Sequence, residues 1–492
     1  MNKRRIGALV LVSMALALAT VLPGLAQDMD KDFWTNFTLV NVGMDAAQGM
    51  IEYIKPDGSA WGSEAFTIAE VGGQAVFRQY ASPGDPGNPN LDEAGGSVIV
   101  STDQPLAGIV QIQARGQDPT SNGAYSAFEM GAESFYVPLA AKGLTTASGL
   151  ANSQITVQNS GSGAADVEID LIASDGTVEY TADGGSLAPG ASWYYDLADE
   201  ANVPDEWYGS AIARTTTAGG SIAVASSFFT GDAMQTFNAF PSTAPTTKWF
   251  VPLFTSRLIN SLSTPIAVQN LSGSPIAAGD VGVTCQPDPS VGGSSISMSN
   301  DTAIGHSASY FFNPVTDMTI PAGFYGACVI ESTADVVAFV QMRFVARGEA
   351  AAYEAIPANG ITKVVSVSPL VAKRLSNGFA TAVTVQNLSE SVATTVDITY
   401  TPAPEYVDAG GSATPLVLND LVIPAGGSLI QNHRILTGAG AVPGMPEGWY
   451  GTMLVESEDQ PINGFVQLTY LDDINPALPG GDNFMAHRAF TR

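Results

Sequence analysis

Cysteine, histidine and positive charge are all scarce in this chain. Its 492 residues include two cysteines and three histidines, and 19 lysines and arginines stand against 47 aspartates and glutamates. So acidic a surface repels phosphate backbones and anionic lipid heads, which excludes nucleic acid as a partner. Charged residues make up only 13% of the chain, too few for helices built from Ala, Glu, Lys and Leu, whereas 51 glycines and 30 prolines suit turn-rich β structure. The expected fold class is all-β. No G-x-S-x-G elbow, G-x-x-x-x-G-K-[ST] loop or H-E-x-x-H pair occurs. The expectation is therefore a protein that is not an enzyme, with no catalytic residue, cofactor or metal.

Residues 1–26 read as a signal peptide. Lys3, Arg4 and Arg5 precede an apolar run from Ile6 to about Leu22, and Gly24-Leu25-Ala26 forms a small-residue cleavage site. A membrane anchor is the competing reading of that run, but Pro23 and the cleavage site favour removal. No later stretch approaches the ~20 apolar residues needed to cross a bilayer, so no transmembrane span is expected in the mature chain. The expected location is secreted or on the bacterial cell surface.

What the chain does contain is a repeated phrase. Ile155-Thr156-Val157-Gln158-Asn159 returns as Ile266-Ala267-Val268-Gln269-Asn270 and as Val383-Thr384-Val385-Gln386-Asn387, with a looser copy at Phe37-Thr38-Leu39-Val40-Asn41. The asparagines lie 118, 111 and 117 residues apart, the length of a small domain. Within the phrase, apolar residues alternate with polar ones, the period of a half-buried strand. Asparagine suits the strand end because it tolerates left-handed backbone and bonds its own turn. Further signals recur in the same order. Val-Pro-Leu opens repeats at Val137 and Val251, and its proline suits an edge strand or a strand start. Pro-Gly or Pro-Ala-Gly turns stand at Pro189, Pro321 and Pro424. Aromatic-Tyr-Gly triplets begin at Trp207, Phe324 and Trp449, and closing aromatics stand at Tyr125, Phe237 and Tyr353.

About seven short strands in each ~110 residues, with frequent turns, describe an antiparallel sandwich. The cadence is similar to the tandem immunoglobulin-like repeats of secreted bacterial envelope proteins, many of them uncharacterised. The repeats place four immunoglobulin-like sandwiches at 27–130, 133–241, 247–358 and 362–492; the resemblance implies a surface or extracellular role and transfers no site residues. The expected function is a non-catalytic structural or interaction module, with a glycan-binding or adhesive protein as the alternative. Short linkers between bodies ~35 Å across suggest a semi-rigid rod of order ~140 Å.

Candidate sites are few. His487 occupies the slot of the closing aromatics and is expected to pack. His306 and His433 stand alone near turns and read as surface histidines. Trp207-Tyr208 could stack against a sugar ring, but its recurrence favours packing over a sandwich edge. Asp472, Asp473 and Asp482, or Asp85 and Asp92, could hold calcium, although neither group has EF-hand spacing. Surface polysaccharide or other envelope proteins are the partners this reading allows. Cys285 shares the inward parity of Val281 and Val283, and Cys328 shares that of Ile330, so a disulfide between Cys285 and Cys328 is expected, bridging the two sheets of the third sandwich.

Overall fold

The computed structural model describes residues 10–14, 33–70, 72–78, 95–114, 119–146, 148–289, 291–359 and 362–491. The fold is all-β: among the described residues the only helices are a turn of 3₁₀ at Leu197–Asp199 and the short Pro404–Asp408. No helix among them is long and apolar enough to cross a membrane. Apart from Val10–Met14, the segment read as a signal peptide lies outside the described residues.

The antiparallel sheets recur along the chain as two-layered units. In the last unit, one sheet runs in the order Ser428–Asn432, Phe379–Asn387, Ile462–Tyr470, Phe484–Arg488. Its partner runs Leu416–Ile423, Thr394–Pro402, Trp449–Ser457, Val365–Lys373, Phe490–Thr491. The first and second units repeat this plan, and in the third the 21-residue strand Phe324–Phe344 passes through both layers and joins them. The strand order departs from that of an antibody constant domain, in which strands 1-2-5-4 and 3-6-7 form the two sheets. Here the second strand keeps its pairing with the fifth, and the third with the sixth, but the first lies beside the sixth.

The Val-Pro-Leu strands are edges at their prolines, as expected, because the two-residue strand beyond each pairs only with the residues just ahead of them. Ser134–Lys142 pairs with Trp207–Thr215 on one side and Phe240–Pro241 on the other. Its proline is accommodated by a register shift between the pairs Ala140–Gly209 and Val137–Ala211, and the equivalent shift recurs in the third and fourth units. A bulge leaves the missing amide of Pro138 without a ladder partner to disappoint.

The four asparagines occupy equivalent places. All are fully buried, and each Oδ1 accepts the N–H two residues on, from Gly43, Gly161, Ser272 and Ser389. Each Nδ2 donates to a carbonyl four or five residues on and to another some thirty residues away, just before the next turn: Ala69, Leu187, Ile304 and Ile423. One amide thus clasps two turns together. None of the four has positive φ, so the residue is needed for its hydrogen bonds and not for left-handed backbone.

Cys285 and Cys328 form a disulfide. They are direct cross-strand partners within one sheet, Cα atoms 4.0 Å apart, and not a bridge between sheets as expected. The inward parity was as expected, but the neighbouring strand supplied the partner. In the second unit the same place holds the pair Leu171–Ala211.

The units do not form a rod. Their closing strands, Asn122–Ser126, Ala233–Asn238, Glu349–Glu354 and Phe484–Arg488, pack each against the next, and the last packs against the first. The chain closes into a ring about a fourfold pseudo-axis. The reason lies in burial, since these strands and the penultimate ones beside them are buried on both faces. A face that is apolar on both sides needs a further layer, and the neighbouring repeat provides it. Phe237 packs on Phe339 with centroids 4.2 Å apart, and Tyr353 stacks on Phe465 at 4.1 Å. At the seam, Ile109 and Ala124 of the first repeat join the apolar cluster of the last.

One of the glutamines before the asparagines also serves the ring. Gln386 donates Nε2 to the Cys328 carbonyl of the preceding repeat. In the first repeat the place is Val40, which packs on Val365 and Val367 of the fourth. Its departure from the glutamine rule follows from the apolar surface it meets. We predict that Asn→Ala at 159, 270 or 387 lowers stability by about 2–4 kcal/mol, since several buried groups lose partners at once. Asn→Asp at the same positions should not rescue, because a carboxylate cannot donate to the two carbonyls. Denaturant unfolding measures both.

Candidate functional site

The axis of the ring gathers one side chain from each repeat, because equivalent positions on the closing strands converge there. At one end the set is Ser126, Asn238, Glu354 and Arg488, partnered on the penultimate strands by Ile109, Ala225, Phe339 and Phe465. The Asn238 side chain exchanges two hydrogen bonds with the Ser126 backbone, at 3.0 and 2.7 Å. The Asn238 N–H donates to Glu354 Oε1 at 2.6 Å, and Ser126 Oγ donates to the Arg488 carbonyl at 3.0 Å. Burial pushes the Glu354 carboxyl above the usual range, opposed by the charge of Arg488 and by the Asn238 N–H.

This polar circuit floors a vestibule of about 490 Å³, walled by Phe128, Phe240, Trp249 and Phe490, with Lys363 at its side. Apolar walls around a few fixed polar groups are the usual make-up of a small-molecule or side-chain pocket. A second cleft of about 520 Å³ opens between the third and fourth repeats, lined by Pro252, Gln286, Tyr325, Pro424 and Ile430. Elsewhere in the ring a hydroxyl beside the sixth-strand glycine closes the equivalent seam: Ser97 donates to Gly190 O, Ser210 to Ser307 O and Thr452 to Gly72 O. The third repeat has Ala327 in that place. Lys248, paired with both Glu331 and Glu390, bridges the two repeats at the rim of this cleft.

The opposite end of the axis is capped from within. Asp482 is fully buried, and its carboxylate accepts the N–H groups of Met234, Ala350 and Phe484, the first inward residues of three closing strands. Asn122 of the remaining repeat donates to the Asp482 carbonyl. Burial raises its pKa well above the ordinary range, and the three amides work against that shift. Asp482 was expected, if anything, to help hold calcium with Asp472 and Asp473. Asp472 is exposed and Asp473 is paired with Arg374, while Asp85 and Asp92 lie outside the described residues. No group of three potential metal ligands occurs among the described residues.

The aromatic-Tyr-Gly triplets are built for packing. Trp207 is buried while Tyr208 is 46% exposed. A Cβ on Gly209, Gly326 or Gly451 would lie 2.0 Å from a carbonyl oxygen of the adjacent strand, so only glycine lets the strands approach.

Of the histidines, His306 is exposed. His433 is not the surface residue expected. It is fully buried in the fourth repeat, with Nδ1 3.1 Å from Thr381 Oγ1 and Nε2 3.2 Å from Tyr400 OH, and burial lowers its pKa to about 3. A lone polar residue near a turn gives no sequence sign of the two hydroxyls that receive it. His487 fills the closing-aromatic slot, buried, with its pKa lowered by burial to about 4. Nδ1–H donates to the Arg488 carbonyl and Nε2 has no partner, so protonation would strand a second N–H. A base whose folded pKa lies below its unfolded value contributes stability that is complete above pH ~6.5 and is lost as pH falls towards 4, here about 3 kcal/mol. We predict that His487→Phe removes this part of the acid lability, flattening the stability difference between pH 6.5 and 4 relative to the parent. Denaturant titrations at the two pH values test it.

No protein-family model matches the chain, and no curated protein sequence matches it. Among solved structures it is similar to Thermotoga maritima 1070, at 14% identity over 23% of this chain and 96% of that one, with a TM-score of 0.19. A chain from a chaperone–tip adhesin complex of CFA/I fimbriae biogenesis is 13% identical over 40% of this chain and 93% of its own, with a TM-score of 0.12. Likenesses of this size bear on neither fold nor function.

Proposed function

We propose that the protein is an exported, non-catalytic interaction module of the bacterial surface: a rigid ring of four sandwiches, immunoglobulin-like in their two-sheet architecture, that recognises a partner and carries out no chemistry on it. The observation that carries this reading is the vestibule at the open end of the axis. Four equivalent positions there hold four different side chains, Ser126, Asn238, Glu354 and Arg488. At this end the mixed set lies at the floor of a vestibule, whereas Asp482 seals the opposite end from within. Divergence at the axis, beside Asn clasps that do repeat, suits recognition of an asymmetric ligand by a preformed site.

A second reading, binding of envelope polysaccharide, is favoured by the aromatic walls around that polar floor, to which Phe490 contributes a partly exposed ring. Binding of the mature protein to purified envelope polysaccharide, and to envelope fractions with and without protease treatment, separates the readings. The interaction-module reading expects saturable binding to one of these, weakened at least about tenfold by Arg488→Met in a variant that still unfolds in one cooperative transition. Binding to neither, or release of shortened glycan on incubation, would overturn it.

A further inference from the structure

Every repeat after the first completes its outer sheet with its own opening strand. Trp207–Thr215 pairs with Ser134–Lys142, Phe324–Phe344 with Thr246–Ser256, and Trp449–Ser457 with Val365–Lys373. The registers agree: Ala211 faces Val137, Cys328 faces Val251 and Met453 faces Ser368. In the first repeat the same edge belongs to Ser97–Thr102, and the strand on it is Val10–Met14, with Val98 opposite Met14. That strand comes from the middle of the segment read as an export leader. Between the leader and Trp34 remain only residues 27–33, Gln-Asp-Met-Asp-Lys-Asp-Phe. They are too few to run along the edge and return, and aspartate is a poor strand former. The other three opening strands are each held in their own repeats, so the described chain has no spare strand to offer.

We propose that Ser97–Thr102 is a strand-accepting edge. Once the leader is removed, it receives an extended apolar segment of a partner polypeptide, laid antiparallel in the place that Ser134–Lys142 fills in the second repeat. This rests on the reading of the protein as exported. The edge strand supplies unpaired backbone N–H and C=O groups, which give affinity, while the inward positions of the incoming strand give selectivity. The floor is ready for apolar side chains, because Val98 and Val100 are fully buried and belong to the same cluster as Phe37 and Ile51. The residues that face such a floor from the opening strands of the second and third repeats are Phe135 and Val137, and Trp249 and Val251, all buried.

The test uses the exported chain, with its intact mass measured first, titrated with a labelled nine-residue peptide of the Ser134–Lys142 sequence. The expected result is saturable one-to-one binding. Val137→Asp in the peptide should weaken it at least about tenfold, because the carboxylate would enter the core. Fusing the same nine residues ahead of residue 27 through a Gly/Ser linker of about ten residues should abolish binding of free peptide and raise the melting temperature. Absence of saturable binding, indifference to Val137→Asp, or undiminished binding to the fused chain would overturn the proposal. So would sedimentation showing that a second copy already fills the edge. A mass that retains residues 1–26 would overturn the export reading as well, whereas a processed chain that fails to bind overturns the edge alone.

Discussion

The structure depends on strands that have no solvent face. A sandwich needs two layers, and its outer surfaces are ordinarily polar. In this protein the closing and penultimate strands are buried along nearly their whole length, so each sandwich is left with an apolar side that its own second sheet cannot cover. Four such bodies joined by short linkers satisfy one another only if the last meets the first. The packing of Ile109 and Ala124 into the fourth repeat's core, and of Val40 onto Val365 and Val367, is that meeting.

Closure also explains where the repeats differ. Positions that perform the same task inside each sandwich keep the same residue: the four asparagines clasp equivalent turns, and Gly209, Gly326 and Gly451 pass the same carbonyl. Positions on the axis lie beside their equivalents and not apart from them, so identical residues would confront one another. Four carboxylates at the place of Asp482 would repel in a buried space, whereas one carboxylate accepts the amides of two other closing strands and of its own. A single chain can vary its axis in this way because each copy is free to diverge.

Much of the sandwich was legible in the sequence and almost none of the ring. Period-two alternation in Asp166–Leu171 and the recurring Val-Gln-Asn phrase mark strands whose faces differ. The parity of Cys285 and Cys328 marked them as inward, but parity does not say whether the facing residue lies in the next strand or in the other sheet. The signal for closure was present as missing alternation, in runs such as Ile222–Thr230 and Ile462–Tyr470. Such runs read equally well as central strands of an ordinary sandwich. Gln386 takes a polar place in the alternation of the phrase, and nothing local reveals that the Cys328 carbonyl of the neighbouring repeat lies against it. His433 was missed for the same reason: Thr381 and Tyr400 are distant in sequence and meet it only in the folded repeat.

The contact between the first and last repeats is the claim on which the rest stands, and small-angle scattering from residues 27–492 tests it most directly. A closed ring of these 466 residues is expected to give a radius of gyration near that of a compact body of this length, about 23–27 Å. The distance distribution should fall to zero well short of the ~140 Å expected of four sandwiches end to end. A radius of gyration near 40 Å, the value for a rod of that length, would contradict closure.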